Sequence, residues 1–124
     1  MNLLQESRSP GYHIRRYCTS KIVIGEQYFQ RSLLLAPDHL DGQWGPNHSD
    51  ALTLEHLQQI QSLNPELMIL GTGTQRALFA NAEQQRWLQQ FPGLEIMDTG
   101  SACRTYNLLH GEGRRVVAGL IVET

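Results

Sequence analysis

The chain has 124 residues, and its ten basic and twelve acidic side chains give a net charge of −2. This length predicts a single domain, and the nearly even charge balance favours neither nucleic acid nor an anionic membrane as a partner. No apolar run approaches the roughly 18 residues of a membrane-spanning helix, so the sequence predicts no transmembrane segment.

The first part of the chain predicts an arm followed by a β-hairpin. Residues 1–12 lack the apolar core of a signal peptide and are expected to form a loose arm ahead of a domain at residues 13–124. The β-prone runs 21–24 and 27–30 are separated by a Gly-Glu pair. A two-residue connection that begins with glycine is typical of a type II′ turn, so we expect an antiparallel hairpin here.

The middle of the chain predicts a buried strand and a long loop. Residues 32–36 form a nearly continuous apolar run whose length suits a strand buried on both faces, although its periodicity also fits a helix. Residues 38–50 are rich in turn-forming side chains and predict a loop around Trp44. The indole of Trp44 is expected either to plug the edge of the core or to await a partner.

From Thr53 onward the pattern alternates helices with strands. Helices are predicted after Thr53, after Asn81 and after Asp98. Strands are predicted at residues 67–70, 94–97 and 114–122. This alternation is typical of βαβ units. The predicted fold is therefore a compact, single-domain α/β structure with a central mixed, mostly parallel sheet and an N-terminal antiparallel β-hairpin.

Two segments follow neighbouring predicted strands, at the edge where α/β sheets build their binding sites. The candidate binding residues in these segments are Gly71, Thr72, Gly73, Asp98, Thr99, Gly100, Cys103 and Arg104. The glycine-rich turn is not a dinucleotide fingerprint, because the third glycine would fall at Arg76. It also lacks the Gly-Lys-Ser/Thr of a phosphate-binding loop. A sharp turn of the backbone is the simpler interpretation.

A cysteine and an arginine adjoin in the second segment. The thiol of Cys103, in the first helical turn and beside Arg104, would have a lowered pKa if it were exposed there. A nucleophile also needs a base, and His110 is about two helical turns further on, too far to reach it. The other interpretation is a small apolar residue that packs the helix onto the sheet. Asp98 or Ser101 is expected to cap the helix, and Arg104 either pairs with an acid or receives an anion.

Neither a metal site nor a cofactor site is predicted. The five histidines show no ligand spacing, and the sequence contains no C-x₂-C pair. The two cysteines, Cys18 and Cys103, are far apart in sequence and are interpreted as thiols of a reducing compartment, which predicts a cytoplasmic protein.

The run Asp98-Thr99-Gly100-Ser101 matches the signature of aspartic proteases, in which two carboxylates share a proton. Only 24 residues follow Gly100, and they read as one helix and one strand. The flap hairpin and further strands that close the cleft of such an enzyme have no place in this remainder. A peptidase is therefore not expected.

Three separated blocks, at residues 67–73, 97–107 and 112–116, resemble the Mth-type domain family in order and spacing. This family of unknown function is related to the mitochondrial complex I assembly factor three and the adipogenesis-associated Mth domain protein. The resemblance implies a compact α/β fold with a central mixed sheet. It does not imply an enzyme, since no catalytic residue is established for the family. Its best-understood branch assists assembly of a membrane-embedded respiratory complex through protein contacts.

The leading hypothesis is a cytoplasmic, non-catalytic protein-binding domain that assists assembly of membrane or respiratory complexes. It needs a protein partner but neither nucleic acid nor a cofactor, and its binding surface would lie between the glycine turn and the Asp98–Arg104 junction. The rival hypothesis is a small-molecule or anion-binding protein, or an enzyme, that uses Asp98, Cys103 and Arg104. The sequence leaves the partner, the ligand and the oligomeric state open.

Overall fold

The computed structural model describes residues 10–18, 20–77, 79 and 81–123. Most of the expected N-terminal arm lies outside these residues, so the loose arm stays a prediction. Its last residue, Tyr12, is attached to the domain: its N–H donates to the Pro37 carbonyl at 3.0 Å. The hydroxyl of Tyr106 donates to the Tyr12 carbonyl at 2.8 Å.

The described residues form eight strands, three α-helices and one 3-10 turn at Ser49–Ala51. The strands are β1 Ile14–Cys18, β2 Lys21–Ile24, β3 Gln27–Phe29, β4 Leu33–Ala36, β5 His39–Asp41, β6 Leu67–Gly71, β7 Leu94–Met97 and β8 Val116–Leu120. The helices are α1 Leu54–Gln61, α2 Ala82–Gln89 and α3 Thr99–Gly111. The strands and helices predicted from Thr53 onward are thus present, in the predicted order.

The predicted hairpin is confirmed, and a third strand extends it. Strands β2 and β3 pair antiparallel, with Ile24 opposite Gln27 across a two-residue turn. Gly25, the first turn residue, has φ 60°, which fits the type II′ turn expected from its position. Strand β1 pairs antiparallel with β2 on the other side, so the N-terminal unit is a three-stranded sheet in the order β1-β2-β3.

The central sheet has five strands in the order β5-β4-β8-β6-β7. Strand β6 pairs parallel with β7 and β8, whereas β4 pairs antiparallel with β5 and β8. The sheet is mixed, as expected, but half of its four pairings are antiparallel, so the prediction of a mostly parallel sheet is not confirmed. The reason is the β4–β8 pairing, which joins segments too far apart in sequence for periodicity to relate them.

The apolar run that allowed either strand or helix is a strand, β4, and all four of its residues are buried. Alternate side chains contribute to two clusters on opposite faces of the sheet. One cluster holds Leu33 and Leu35 together with residues of α3 and the N-terminal sheet. The other holds Leu34 with residues of α1 and with Trp44, which is 2% exposed. The structure thus confirms the indole as a plug of the core.

Residues 38–50 were expected to be a loop throughout, and this prediction is wrong in part. Ala36 lies opposite His39, so a two-residue turn reverses the chain after β4. The three residues of β5 then pair with β4 and form one edge of the central sheet. Turn-forming residues on both sides concealed this short strand, because its length gives too little alternation to detect.

Close packing at Gly119 of β8 yields a first test of the fold. A Cβ added there would lie 2.5 Å from Trp44 Cη2 and 2.9 Å from Ile60 Cδ1. We expect Gly119→Ala to lower the free energy of unfolding by about 1–3 kcal/mol, since the indole is buried and has little room to move away from the added methyl group. Urea denaturation would measure this loss. Gly93→Ala is the matched control, because nothing lies within 4 Å of its Cβ. Equal stability of the two variants would contradict this packing.

Candidate functional site

The two candidate segments meet where β6 and β7 end. These strands are parallel neighbours, with Gly71 opposite Met97, and the N–H of Thr72 donates to the Met97 carbonyl at 2.9 Å. The close approach needs a glycine: a Cβ at Gly71 would lie 2.9 Å from the Cα of Thr99. The structure therefore brings the glycine turn directly against the start of α3, as the sequence predicts.

The hydroxyl of Thr99 holds this junction together. Thr99 is fully buried, and its Oγ1 accepts a hydrogen bond from the Gly73 N–H at 2.7 Å and donates one to the Ile121 carbonyl at 2.7 Å. The N–H of Thr99 also donates to the Gly73 carbonyl at 2.8 Å. One side chain thus connects the turn after β6, the first turn of α3 and the segment after β8.

The polar groups of the glycine turn are used within the turn itself. The hydroxyl of buried Thr72 donates to the Gln75 carbonyl at 2.7 Å and accepts from the Ala77 N–H at 2.9 Å. Gly73 has φ 102°, a conformation that side chains rarely adopt, and a Cβ there would also meet the side chain of Glu123. These contacts support the interpretation of the segment as a sharp backbone turn.

The carboxylate of Glu123 closes the outer side of the turn. It accepts hydrogen bonds from the N–H and the hydroxyl of Thr74, both at 2.9 Å. The backbone N–H of Thr74 lowers the pKa of this carboxyl, with a smaller contribution from the hydroxyl. Thr74 is thus anchored, and the side chains of Gln75 and Arg76 beyond it are exposed.

Asp98 is the N-cap of α3, one of the two caps that the sequence allowed. Its carboxylate accepts a hydrogen bond from the Ser101 N–H at 2.8 Å and another from the Ser101 hydroxyl at 2.9 Å. The backbone N–H of Ser101 is the main reason that the pKa of Asp98 is lowered. Arg104 donates to the Ser101 hydroxyl at 3.2 Å. No carboxylate of the described chain lies within ion-pair distance of Arg104.

Cys103 faces the core and is 4% exposed. Burial raises the pKa of its thiol to about 12, and the opposing charge of Arg104 is too weak to offset the desolvation. The thiol is therefore neutral at physiological pH. The position supports the interpretation of Cys103 as a packing residue, and it leaves the junction without a thiolate nucleophile.

The structure adds two residues that sequence reasoning missed. Arg15 and Arg16 of β1 line a cavity of about 190 Å³ together with Gly100, Cys103 and Arg104 of α3. No local pattern links β1 to α3, which lie more than eighty residues apart. The sequence signal for these residues was the adjacent pair Arg15-Arg16 itself. Successive side chains of a strand point to opposite faces, so such a pair puts a charge on each face of β1.

Among the described residues, no group of three or more His, Cys, Asp and Glu side chains is arranged to hold a metal ion. Within the same ranges, none of the helices is long and apolar enough to cross a membrane.

Comparison with known proteins gives one family match. The model of a family described as "Protein of unknown function (DUF498/DUF598)" matches residues 14–121. This range includes every helix and strand of the structure, together with all eight candidate site residues.

Two relatives have informative names. Human NADH dehydrogenase (ubiquinone) 1 alpha subcomplex assembly factor 3 is 28% identical over 123 residues, which cover 98% of this chain and 66% of that protein. The "13 kDa major membrane protein" of Francisella tularensis subsp. holarctica (strain LVS) is 26% identical over 117 residues, covering 94% of this chain and 95% of that protein.

Solved structures share the fold. A crystal structure of a protein from Bordetella parapertussis aligns with a TM-score of 0.80 and 33% identity, covering 93% of this chain and 98% of that one. The solution structure of a Mth938-like domain from Bordetella pertussis aligns with a TM-score of 0.72 and 28% identity, covering 90% and 86%.

The Thr99 hydroxyl can be tested with an isosteric substitution. Thr99→Val would leave the Gly73 N–H and the Ile121 carbonyl buried without this partner, so we expect a loss of about 1–3 kcal/mol in the free energy of unfolding. Thr105→Val on the same helix is the control, because its hydroxyl contacts only Met97 Sδ, at 3.6 Å. Hydrogen exchange of the Gly73 N–H should accelerate in Thr99→Val alone. Unchanged exchange there would contradict the role assigned to the hydroxyl.

The burial of Cys103 predicts how its thiol labels. In a Cys18→Ser variant, we expect iodoacetamide to modify Cys103 only as the protein unfolds, so labelling should follow the urea transition. A Cys103→Ser variant gives the comparison, because Cys18 is exposed and should label in the native state. Rapid native labelling of Cys103, with an apparent pKa below the usual value of about 8.5, would show that the thiol is accessible and activated.

Proposed function

The chain belongs to the Mth-type domain family, proteins of unknown function DUF498/DUF598, and from this premise we propose that it is a non-catalytic protein-binding domain. Its task is to assist the assembly of a membrane-embedded or respiratory complex. It acts through contacts with a protein partner and needs no bound cofactor.

The observation that carries this proposal is the extent of the similarity to the assembly factors. The alignment with the human factor spans 98% of this chain, so the whole domain corresponds, rather than a single motif. The assembly factors 3 of Danio rerio and Mus musculus align over the same 98%. A role that belongs to the domain as a whole is therefore the simplest function for the shared structure.

The chemistry of the junction supports binding rather than catalysis. Thr72 and Thr99 use their hydroxyls in structural hydrogen bonds, and Asp98 uses its carboxylate to cap α3. Cys103 is buried with a raised pKa. These groups make the junction rigid and leave none of the four free to attack or to protonate a substrate.

The binding surface in this proposal is the rim outside the junction, formed by Gln75, Arg76 and Arg104. All three side chains are exposed, and they surround backbone that internal hydrogen bonds hold in place. Because this backbone is already fixed before binding, docking of a partner on the rim costs little conformational entropy in the domain. A low entropic cost favours a specific contact.

We also place the protein in the cytoplasm, beside the membrane in which the complex is built. The thiols of Cys18 and Cys103 are free, as expected for a reducing compartment. The Francisella relative is named as a membrane protein, and a factor that works on membrane-embedded subunits would be found with them.

Deletion of the gene from its own organism tests the assembly role. We expect native electrophoresis of detergent-solubilised membranes to show smaller, incomplete respiratory complexes, with a matching loss of NADH oxidation. The unchanged gene should restore both. Gln75→Arg adds bulk and charge to the rim and should restore neither.

The matched control is Gln85→Arg on the exposed side of α2, which should complement fully. Both variants must be shown to accumulate to the level of the unchanged protein. Membrane complexes of normal size and abundance in the deletion strain would overturn the assembly role. Full complementation by Gln75→Arg would overturn the rim as the binding surface.

A further inference from the structure

Three arginines converge on one cavity between β1 and α3. Arg15 and Arg16 approach from the strand, and Arg104 approaches from the helix. The helix positions that line the cavity are 100, 103, 104 and 107, which are spaced to share one helical face. The cavity measures about 190 Å³, which suits a single small group rather than a whole cofactor.

The pairing of β1 with β2 is irregular at the two arginines of the strand. Neighbouring side chains of a regular strand point to opposite faces. Here the pairing register of β1 with β2 shifts between Ile14 and Arg16, and Arg15 and Arg16 are both exposed and both line the cavity. Bulges commonly re-aim side chains beside binding sites.

Among the described residues, no carboxylate pairs with any of these three arginines. Arg15 and Arg104 donate hydrogen bonds only to a backbone carbonyl and a hydroxyl, at 2.8 and 3.2 Å. None of the three forms an ion pair, whereas Arg114 and Arg115 each pair with a carboxylate. The protein as a whole carries a net charge of −2, so this concentration of unpaired cations is local.

Two acidic groups beside the cavity, Asp98 and Cys103, are engaged or uncharged, and a further acid, Glu26, lines a larger groove that adjoins it. The carboxylate of Asp98 accepts two hydrogen bonds from Ser101. The thiol of Cys103 lines the cavity and stays neutral because it is buried. An anion in the cavity would therefore meet the positive charges of Arg16 and Arg104 and no thiolate, while the guanidinium of Arg15 donates to the Gly25 carbonyl on the side of the larger groove.

The arginine cavity continues into a larger groove of about 910 Å³. Ile14, Arg15 and Asn107 line both spaces. The groove is lined further on by the apolar residues Ile24 and Leu40, and its outer part also includes the polar residues His13, Glu26 and Gln27. A ligand that fills both spaces would place one end among the arginines and the other end against apolar side chains.

We propose that the cavity lined by Arg15, Arg16 and Arg104 binds the oxyanion head group, a phosphate or a carboxylate, of an amphipathic ligand whose apolar body lies in the adjoining groove. Guanidinium groups match such oxyanions in shape and charge. The ligand is either a soluble amphiphile or a lipid presented by a membrane. This binding goes beyond the assembly role and does not depend on it, so either can fail alone.

Hexyl phosphate is the probe, and inorganic phosphate is the comparison. Titration of the isotope-labelled protein should shift the amide signals of Arg16, Gly100 and Asn107. Hexyl phosphate should bind about tenfold more tightly than inorganic phosphate, as expected if about two methylene groups are buried in the groove. Affinity should fall with rising salt, because the arginines are exposed.

Arg16→Gln and Arg104→Gln test the residues. Each should weaken hexyl phosphate binding about fivefold or more, the loss of one charge-assisted hydrogen bond. Arg86→Gln removes the same charge from the exposed surface of α2 and should leave the affinity unchanged. Absence of hexyl phosphate binding at millimolar concentration would overturn the proposal. An equal loss in all three variants would also overturn it, because it would show nonspecific attraction.

Vesicle flotation separates the two sources of the ligand. Capture by phosphatidylglycerol vesicles and not by phosphatidylcholine vesicles, with loss of capture in Arg16→Gln, would support the site and identify a lipid head group. Binding of hexyl phosphate without vesicle capture would support the site and identify a soluble amphiphile. Absence of hexyl phosphate binding would overturn the site whatever the vesicles show.

Discussion

The structure depends on the burial of β8 at the centre of the mixed sheet. This last strand pairs antiparallel with β4 from the N-terminal half and parallel with β6 from the C-terminal half, and all five of its residues are buried. Alternate residues of β8 contribute to the clusters on both faces of the sheet. The two halves of the chain therefore form one core, and neither half has a complete sheet without β8.

The position of β8 also determines the chemistry of the candidate junction. The chain continues from β8 to Ile121, whose carbonyl accepts the hydrogen bond of the Thr99 hydroxyl, and to Glu123, whose carboxylate accepts two from Thr74. An edge of an α/β sheet that could have been an open site is thus closed by the residues that follow its central strand. Any partner of this edge would meet the exposed side chains outside the junction, and the proposed protein-binding surface is placed there for this reason.

The arginine cavity shows how local charge can differ from the charge of the whole protein. A net charge of −2 gave no reason to expect an anionic ligand. Packing of α3 against the N-terminal sheet nevertheless brings Arg15, Arg16 and Arg104 to the lining of one space, and the carboxylate of Asp98 beside it caps α3. The proposed protein-binding rim and the proposed ligand site would therefore adjoin each other on α3 and share Arg104.

The sequence by itself determined the local features of this protein. The turn at Gly25, the N-caps Thr53, Asn81 and Asp98, and the alternation of helices and strands all depend on neighbours within a few residues. The spaced blocks were enough to indicate the family. The proximity of the two candidate segments was also predictable, because parallel strands end at the same edge of a sheet.

Only the tertiary structure decided which groups are free and which are engaged. The antiparallel β4–β8 pairing, the burial that keeps Cys103 neutral and the cavity shared by β1 and α3 each join residues far apart in the chain. Periodicity and propensity describe a residue's neighbours along the sequence, whereas desolvation and charge depend on its neighbours in space. The fold class could therefore be predicted from the sequence, but the state of the thiol and the convergence of the arginines could not.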